Sequence, residues 1–291
     1  MQIAFHLGVH GTDDDQLARC LLQNRSVLAQ AGVEAPEPRL YRPVLNEALG
    51  ALDGATASGS MQDLILDAIL DLDSPRRVLL SNRAFLGLPF RAISPDGLYA
   101  TAPARLAALS GLFPAAEIEF FVALRNPATL IPYIIEAVSG ARYDRMFASF
   151  SPEVLRWNVA ARRILQAAQG RRVVFWCHED TPLIWPEVLR AVAGVGPEVA
   201  LTGEQTMANA AMLPQGAQWL RRALETRPPR SVRERREITT EALLQFQNPK
   251  ATEMELDLSG WTQDYVNHLT ALYDADVAEI AALSGAEFIL P

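Results

Sequence analysis

Short apolar runs alternate with amphipathic stretches along the first two thirds of the chain. Four of the apolar runs have the length and composition of buried strands; they are Ile3 to Gly8, Arg76 to Ser81, Glu119 to Leu124 and Val173 to Cys177. Apolar residues recur at helical spacing at residues 14–32, 61–72, 104–112, 128–138 and 156–168. This alternation predicts an α/β fold with a mostly parallel central sheet and helices on both faces.

The last third of the chain has a different pattern. Strand signals stop beyond about Ala200, and helical spacing covers residues 218–225, 233–246 and 265–283, with a rigid break at Pro228-Pro229. We therefore expect an α/β core over residues 1–200 and a C-terminal helical cap or subdomain, residues 201–291, packed on that core.

Composition narrows the classes of function. The 291 residues are 49% hydrophobic and 21% charged, which is typical of a globular protein. A net charge of −8 argues against general binding to nucleic acids or anionic membranes. Cys20 and Cys177 are too few for a disulfide framework, and no segment has the apolar length of a signal peptide or a membrane span. We expect a cytoplasmic protein that does not insert into membranes.

The loop after the first predicted strand carries a resemblance to a known family. The stretch Ile3-Ala4-Phe5-His6-Leu7-Gly8-Val9-His10-Gly11-Thr12-Asp13-Asp14-Asp15 resembles the start of bacterial P-loop sulfotransferase-like proteins, where a strand ends in His-Lys-Thr-Gly-Thr-Thr-Ser-Leu. The resemblance implies a nucleoside triphosphate hydrolase-like fold. It also implies that the loop, with Gly11 and Thr12, cradles the phosphosulfate of 3′-phosphoadenosine 5′-phosphosulfate.

The differences from the family fall on the residues that would contact the donor. His10 and Thr12 match the family, but Gly11 replaces the lysine, Asp13 the glycine, and Asp14 and Asp15 the hydroxyl residues. Three interpretations remain open. Thr12 to Asp15 form a capping box at the start of a helix; or Asp13, Asp14 and Asp15 bind a divalent cation such as Mg²⁺; or the loop binds a modified anion or nucleotide.

A second stretch matches another signature of the same family. Arg125-Asn126-Pro127 follows a predicted strand and resembles the family's Arg-Asp-Pro, whose arginine contacts the donor's 3′-phosphate together with a serine. Asn126 replaces the aspartate, and Pro132 stands near the serine position. The resemblance implies that Arg125 and Asn126 bind the donor. A structural role for Arg125, such as pairing with a carboxylate, is the alternative.

Two further groups of polar residues follow predicted strands. Cys177-His178-Glu179-Asp180 includes a Glu-Asp pair that is similar to one in the family, and a histidine beside carboxylates suits proton transfer. We therefore name His178, Glu179 and His10 as candidate catalytic residues, although Asp180 or Thr181 can equally cap the next helix. Ser81, in Ser81-Asn82-Arg83, is a further candidate for donor binding.

Three functional hypotheses follow. The first is a diverged sulfuryl transferase, or an anion- or nucleotide-binding pseudoenzyme, that acts on a small-molecule acceptor or anion. The second is a non-catalytic binding or assembly module, with the C-terminal helices as the surface for a protein partner or a homo-oligomer. The third is a metal-assisted enzyme that uses the acidic first loop. The scattered tryptophans lack the basic interleaving of a nucleic-acid platform.

Overall fold

The computed structural model describes residues 1–138, 150–254, 258 and 260–291, and it confirms the α/β fold. Six parallel strands form the central sheet in the order β2-β3-β1-β6-β7-β8. The other two strands, β4 and β5, form a small antiparallel hairpin. The strands are β1 (Gln2–His6), β2 (Val33–Glu34), β3 (Arg77–Ser81), β4 (Ile93–Ser94), β5 (Gly97–Leu98), β6 (Glu117–Leu124), β7 (Val173–Cys177) and β8 (Ala286–Ile289).

Helices connect the strands and continue into the C-terminal third. Those of the first two thirds are α1 (Gln16–Gln23), α2 (Arg25–Gln30), α3 (Pro38–Leu52), α4 (Gly59–Ile69), α5 (Ala102–Leu112), α6 (Pro127–Ala137), α7 (Trp157–Ala168) and α8 (Thr181–Ala193). Those that follow are α9 (Thr206–Ala210), α10 (Pro214–Thr226), α11 (Val232–Phe246), α12 (Pro249–Thr252) and α13 (Gln263–Ala281).

The sheet separates two hydrophobic cores, because successive side chains of a strand point to opposite faces. In β6, Phe120 and Val122 pack into the larger core with α3 to α7 and α13, whereas Phe121 and Ala123 pack into the smaller core with α1 and α8. Since the strands are buried on both faces, they read as continuous apolar runs in the sequence. The predicted arrangement of helices on both faces is confirmed.

The order of the strands creates a crevice at one edge of the sheet. From β1 the chain crosses to β2 and β3 on one side, and from β6 it crosses to β7 on the other. When the loops after two neighbouring parallel strands run in opposite directions, a gap forms between these loops at the carboxyl ends of the strands. Ligands of open α/β sheets usually bind in such a gap. In this chain that gap lies between the loop after β1 and the loop after β6.

The C-terminal third contains a strand that the sequence pattern missed. β8 pairs in parallel with β7 at the edge of the central sheet, so the expectation that no strand follows Ala200 is wrong. Leu269, Tyr273 and Ile280 of α13 belong to the larger core of the α/β unit. By contrast, α10 and α11 pack against each other around a small separate core.

Two other segments depart from the expected pattern. The predicted helix over residues 14–32 is divided at Asn24, whose side chain bonds the Cys20 carbonyl and both the amide and the carbonyl of Thr202. Helix α3 was not predicted; it begins at Pro38, a position where no intrahelical amide bond is needed. None of the described helices combines the length and apolarity required to cross a membrane.

Candidate functional site

The loop after β1 is a tight turn whose backbone requires glycine. Gly8 (φ 58°) and Gly11 (φ 69°) have left-handed conformations, which glycine adopts without strain. A Cβ atom on Gly8 would come within 2.5 Å of the Arg83 Cα. Thr12 is buried, and its hydroxyl donates to the Val9 carbonyl oxygen 2.7 Å away. Thr12 therefore closes the turn.

The three aspartates of this loop have separate surroundings. The Asp13 Oδ2 atom accepts a hydrogen bond from the Leu17 amide, 2.9 Å away, in the first turn of α1. Asp15 lies 2.6 Å from the Arg42 Nη2 atom, and this hydrogen-bonded ion pair lowers the pKa of Asp15. The Asp14 side chain is exposed. The loop is thus held by internal contacts of Asp13 and Asp15.

Two expectations about the acidic loop are corrected by this geometry. The capping box is wrong, because Asp15 is the N-cap residue of α1 without a capping bond, and Asp13 supplies the acceptor that Thr12 was expected to provide. Within the described residues, no three His, Cys, Asp or Glu side chains lie close enough to hold a metal ion together. The cation-binding set of Asp13, Asp14 and Asp15 is therefore not assembled.

Arg125 follows β6 and links the two sides of the crevice. Its Nη1 atom donates to the Gly11 carbonyl oxygen at 2.7 Å, and its Nε atom donates to the Thr129 Oγ1 at 3.1 Å. The guanidinium also lies 5.0 Å from the centre of the Tyr133 ring, within cation–π range. All three partners are uncharged. Burial lowers the pKa of Arg125, although Glu179 and other groups oppose this effect.

Asn126 and Glu179 form a second link, between the β6 and β7 loops and helix α13. The Glu179 Oε1 atom accepts from the Asn126 amide at 2.8 Å, and Oε2 accepts from the Tyr273 hydroxyl at 2.9 Å. Asn126 caps α6 through the Ala128 amide and also donates to the Thr270 hydroxyl. Burial raises the pKa of Glu179, although these hydrogen bonds and the charge of Arg125 oppose the shift.

His178 opens a 3₁₀ turn directly after β7. Burial and the nearby charge of Arg125 lower the pKa of His178 to about 4, while a hydrogen bond with the Thr12 backbone opposes the shift. The imidazole is therefore neutral at pH 7. Its Nδ1 atom is buried and has no hydrogen-bond partner in the described part of the chain. The hydroxyl of Thr181, the first residue of α8, donates to the His178 carbonyl oxygen at 2.6 Å.

His10 is shielded from the crevice by an aromatic stack. Its ring lies parallel to that of Tyr99, with centroids 5.9 Å apart, and its Nδ1 atom is 2.9 Å from the Tyr99 hydroxyl. Tyr99 stacks in turn on Trp157, whose Nε1 atom donates to the Arg125 carbonyl oxygen. Burial, assisted by the charge of Arg83, lowers the pKa of His10 to about 4. His10 is thus a neutral, enclosed side chain.

Ser81 lies at the end of β3 with all its polar groups engaged. Its hydroxyl is 2.8 Å from the His6 Nδ1 atom, its amide donates to the Tyr41 hydroxyl, and its carbonyl oxygen accepts from Arg42. The predicted role of Ser81 in donor binding would require breaking these contacts. Ser81 thus joins the end of β3 to His6 of β1 and to Tyr41 and Arg42 of α3.

A cavity of about 370 Å³ opens between the carboxyl edge of the sheet and the C-terminal third. Its polar wall includes Arg125, Asn126, Thr129, His178 and Glu179, and its apolar wall includes Pro182, Met207, Ala210, Ala211 and Met254. The structure therefore brings four of the predicted site residues together, namely Arg125, Asn126, His178 and Glu179. The other candidates do not line this cavity; they are His10, Gly11, Thr12, Ser81 and Asp13 to Asp15.

Three aromatic residues shape the site without having been predicted. Tyr99 covers His10, Tyr133 lies under the Arg125 guanidinium, and Tyr273 holds Glu179. Tyr99 and Tyr273 are far in sequence from the residues that they contact, and no motif surrounds them. Tyr133 lies two turns along α6 from Arg125, so helical spacing was the one available signal.

Comparison of the chain with protein families, curated proteins and solved structures finds no significant match.

Proposed function

We propose that this chain is a diverged sulfotransferase-like protein that uses the scaffold to bind a small ligand in the cavity beside Arg125, and that it does not bind the phosphosulfate donor. The cavity lined by Arg125 supports ligand binding. The observation that argues against the phosphosulfate donor is the hydrogen bond from the Leu17 amide to the Asp13 carboxylate, 2.9 Å long, at the start of α1. The free backbone amides at the start of a helix can bind an anion such as a phosphate. In this chain the Asp13 carboxylate is the anion that accepts from such an amide.

Electrostatics support the same conclusion. A donor phosphate about 5 Å from the Asp13 carboxylate would be repelled by about 3 kcal/mol at an effective dielectric near 20. The Gly11 carbonyl oxygen, which accepts from Arg125, also directs a negative dipole into the crevice. The loop has no lysine whose positive charge could offset this repulsion, because the single lysine of the chain is Lys250.

Calorimetric titration with 3′-phosphoadenosine 5′-phosphate, with and without Mg²⁺, tests the proposal. The desulfated donor needs no acceptor, and we expect no saturable binding under either condition. Asp13→Asn keeps an acceptor for the Leu17 amide but removes the charge, so this variant should bind more strongly than the unaltered protein. Asp63→Asn is the matched control, because the Asp63 side chain is exposed on α4 and outside the loop. Saturable micromolar binding by the unaltered protein would overturn the proposal.

One observation favours sulfuryl transfer as a second candidate. His178 lines the cavity and its Nδ1 atom is unpaired among the described residues, so this atom can accept the proton of an acceptor hydroxyl. In that reaction the acceptor oxygen would bond to sulfur while the donor's sulfur–oxygen bond breaks. Donor binding in the titration, lost in Arg125→Gln, would select this candidate.

A further inference from the structure

Arg125 is a buried cation that no carboxylate of the described residues contacts directly, although the charges of Glu179 and Asp14 act on it from a distance. It is 6% exposed, and the described residues provide it with a carbonyl oxygen, a hydroxyl and an aromatic ring as neighbours, but no ion pair. The Nη2 atom has no hydrogen-bond partner in the same part of the chain. Buried charges in proteins are normally paired. An unpaired guanidinium on a cavity wall therefore indicates an anionic ligand.

The apolar wall of the cavity indicates that this ligand has an apolar body. Pro182, Met207, Ala210, Ala211 and Met254 form that wall. The volume of about 370 Å³ lies within the range of small-molecule sites, about 300–1,000 Å³. Inorganic sulfate or phosphate would leave the apolar wall without contacts.

The other charged groups of the cavity limit the ligand to one negative charge. Glu179 and Glu253 both line the cavity, so Arg125 is the single cation among the lining residues of the described chain. A dianion would be repelled more strongly by these carboxylates than a monoanion. A carboxylate also matches the planar donors of a guanidinium.

We propose that the cavity binds a small monocarboxylate with an apolar body, with its carboxylate on Arg125 and its body against Met207, Ala210 and Ala211. This inference rests on the proposed ligand-binding function and names the class of ligand. It concerns binding and requires no covalent step.

Hexanoate is a suitable probe, with binding followed by calorimetry and by amide chemical shifts in the full-length protein. We expect saturable binding, with shifts concentrated at Thr129, Thr181 and Ala211. Acetate, which lacks the apolar body, and hexanamide, which lacks the charge, should each bind at least about tenfold more weakly. Inorganic sulfate should not displace hexanoate.

Variants assign the interaction to the named residues. Arg125→Gln should weaken hexanoate binding at least about tenfold, and Arg221→Gln, on the exposed surface of α10, should leave it unchanged. Glu179→Gln removes a like charge from the cavity and should strengthen binding. If Arg125→Gln does not fold, the chemical-shift pattern of the unaltered protein and the result for Glu179→Gln still decide.

Each adverse result overturns the inference in its own way. If hexanamide binds as tightly as hexanoate, the negative charge of the ligand is not recognised. If acetate binds as tightly as hexanoate, the apolar wall does not contribute to binding. Shifts outside the cavity would exclude the site. Failure of hexanoate to bind, while 3′-phosphoadenosine 5′-phosphate also fails, would reject the ligand class alone; binding of the desulfated donor would instead reject the proposed function.

Discussion

The Arg125 Nη1 atom lies 2.7 Å from the carbonyl oxygen of Gly11, so the residue after β6 holds the loop after β1 in place. These two loops border the crevice that the strand order creates. A Cβ atom on Gly11 would overlap Nη1 and come within 2.9 Å of the Tyr133 ring. The loop therefore needs glycine for two reasons, its positive φ and the close approach of Arg125.

Gly11→Ala should lower the free energy of unfolding by about 1–3 kcal/mol for the backbone strain alone, and by more because Arg125 must move. Urea denaturation measures the loss. Gly54→Ala is the matched control, since Gly54 has φ 87° but no atom of the described residues lies within 4 Å of the added Cβ. Equal losses in the two variants would mean that displacing Arg125 has no cost.

Asp13→Ala should destabilise the protein by about 1 kcal/mol, because the Leu17 amide at the start of α1 loses its acceptor. Asp13→Asn keeps a side-chain oxygen at the same position and should recover most of that loss. Urea denaturation of both variants provides the comparison. A loss of equal size in the asparagine variant would show that the negative charge, and not the hydrogen bond, stabilises the helix start.

Much of the sheet was predictable because its central strands are buried on both faces. β3, β6 and β7 are continuous apolar runs, and the predicted bounds of β7, Val173 to Cys177, agree with the structure. β8 was missed because it has four residues after a long helix and lies at the sheet edge, where its residues are only partly buried. A short edge strand needs less hydrophobicity than a central one, so its pattern is weak.

The positions of site residues that directly follow a strand were predictable from the sequence. The partners of individual side chains were not, because they depend on contacts between residues far apart in the chain. Parallel strands end at the same edge of the sheet, so the residues that directly follow β6 and β7 are brought together, and Arg125 and Glu179 both line one cavity. The partner of Asp15, by contrast, is Arg42 on α3, a helix that the sequence pattern did not predict. Likewise, nothing local in the sequence indicated that Tyr99 would cover His10.

Asp276→Asn should cost about 3 kcal/mol of unfolding free energy. Asp276 is 1% exposed, accepts hydrogen bonds from the Nε and Nη2 atoms of Arg156, and also accepts from the Trp157 amide. Removing one partner of a buried ion pair leaves the other uncompensated, typically at about 3–5 kcal/mol, and the partial exposure of Arg156 favours the lower end.

A matched control for this pair comes from the surface of α11. Arg233 and Glu237 form an exposed ion pair one turn apart, so Glu237→Gln should leave stability almost unchanged. Thermal and urea denaturation of both variants test the contrast. Similar losses for Asp276→Asn and Glu237→Gln would contradict the assignment of Asp276 as the attachment of α13 to α7.

The lowered pKa of His10 predicts a loss of stability in mild acid. The folded protein keeps His10 neutral down to about pH 4, whereas the unfolded chain binds the proton near pH 6.5. The unfolded state therefore gains protons first, so this contribution is complete above pH 6.5 and is lost as the pH falls toward 4. A shift of this size corresponds to about 3 kcal/mol.

His10→Gln tests that pH dependence, because glutamine can still bond the Tyr99 hydroxyl but does not titrate. Between pH 6.5 and 5, the unfolding free energy of the variant should fall by about 1 kcal/mol less per pH unit than that of the unaltered protein. The raised pKa of Glu179 acts with the opposite sign in both proteins, so it cancels in the difference. Parallel pH profiles would show that His10 takes up its proton in the folded state as readily as in the unfolded chain, and that Tyr99 does not shield it.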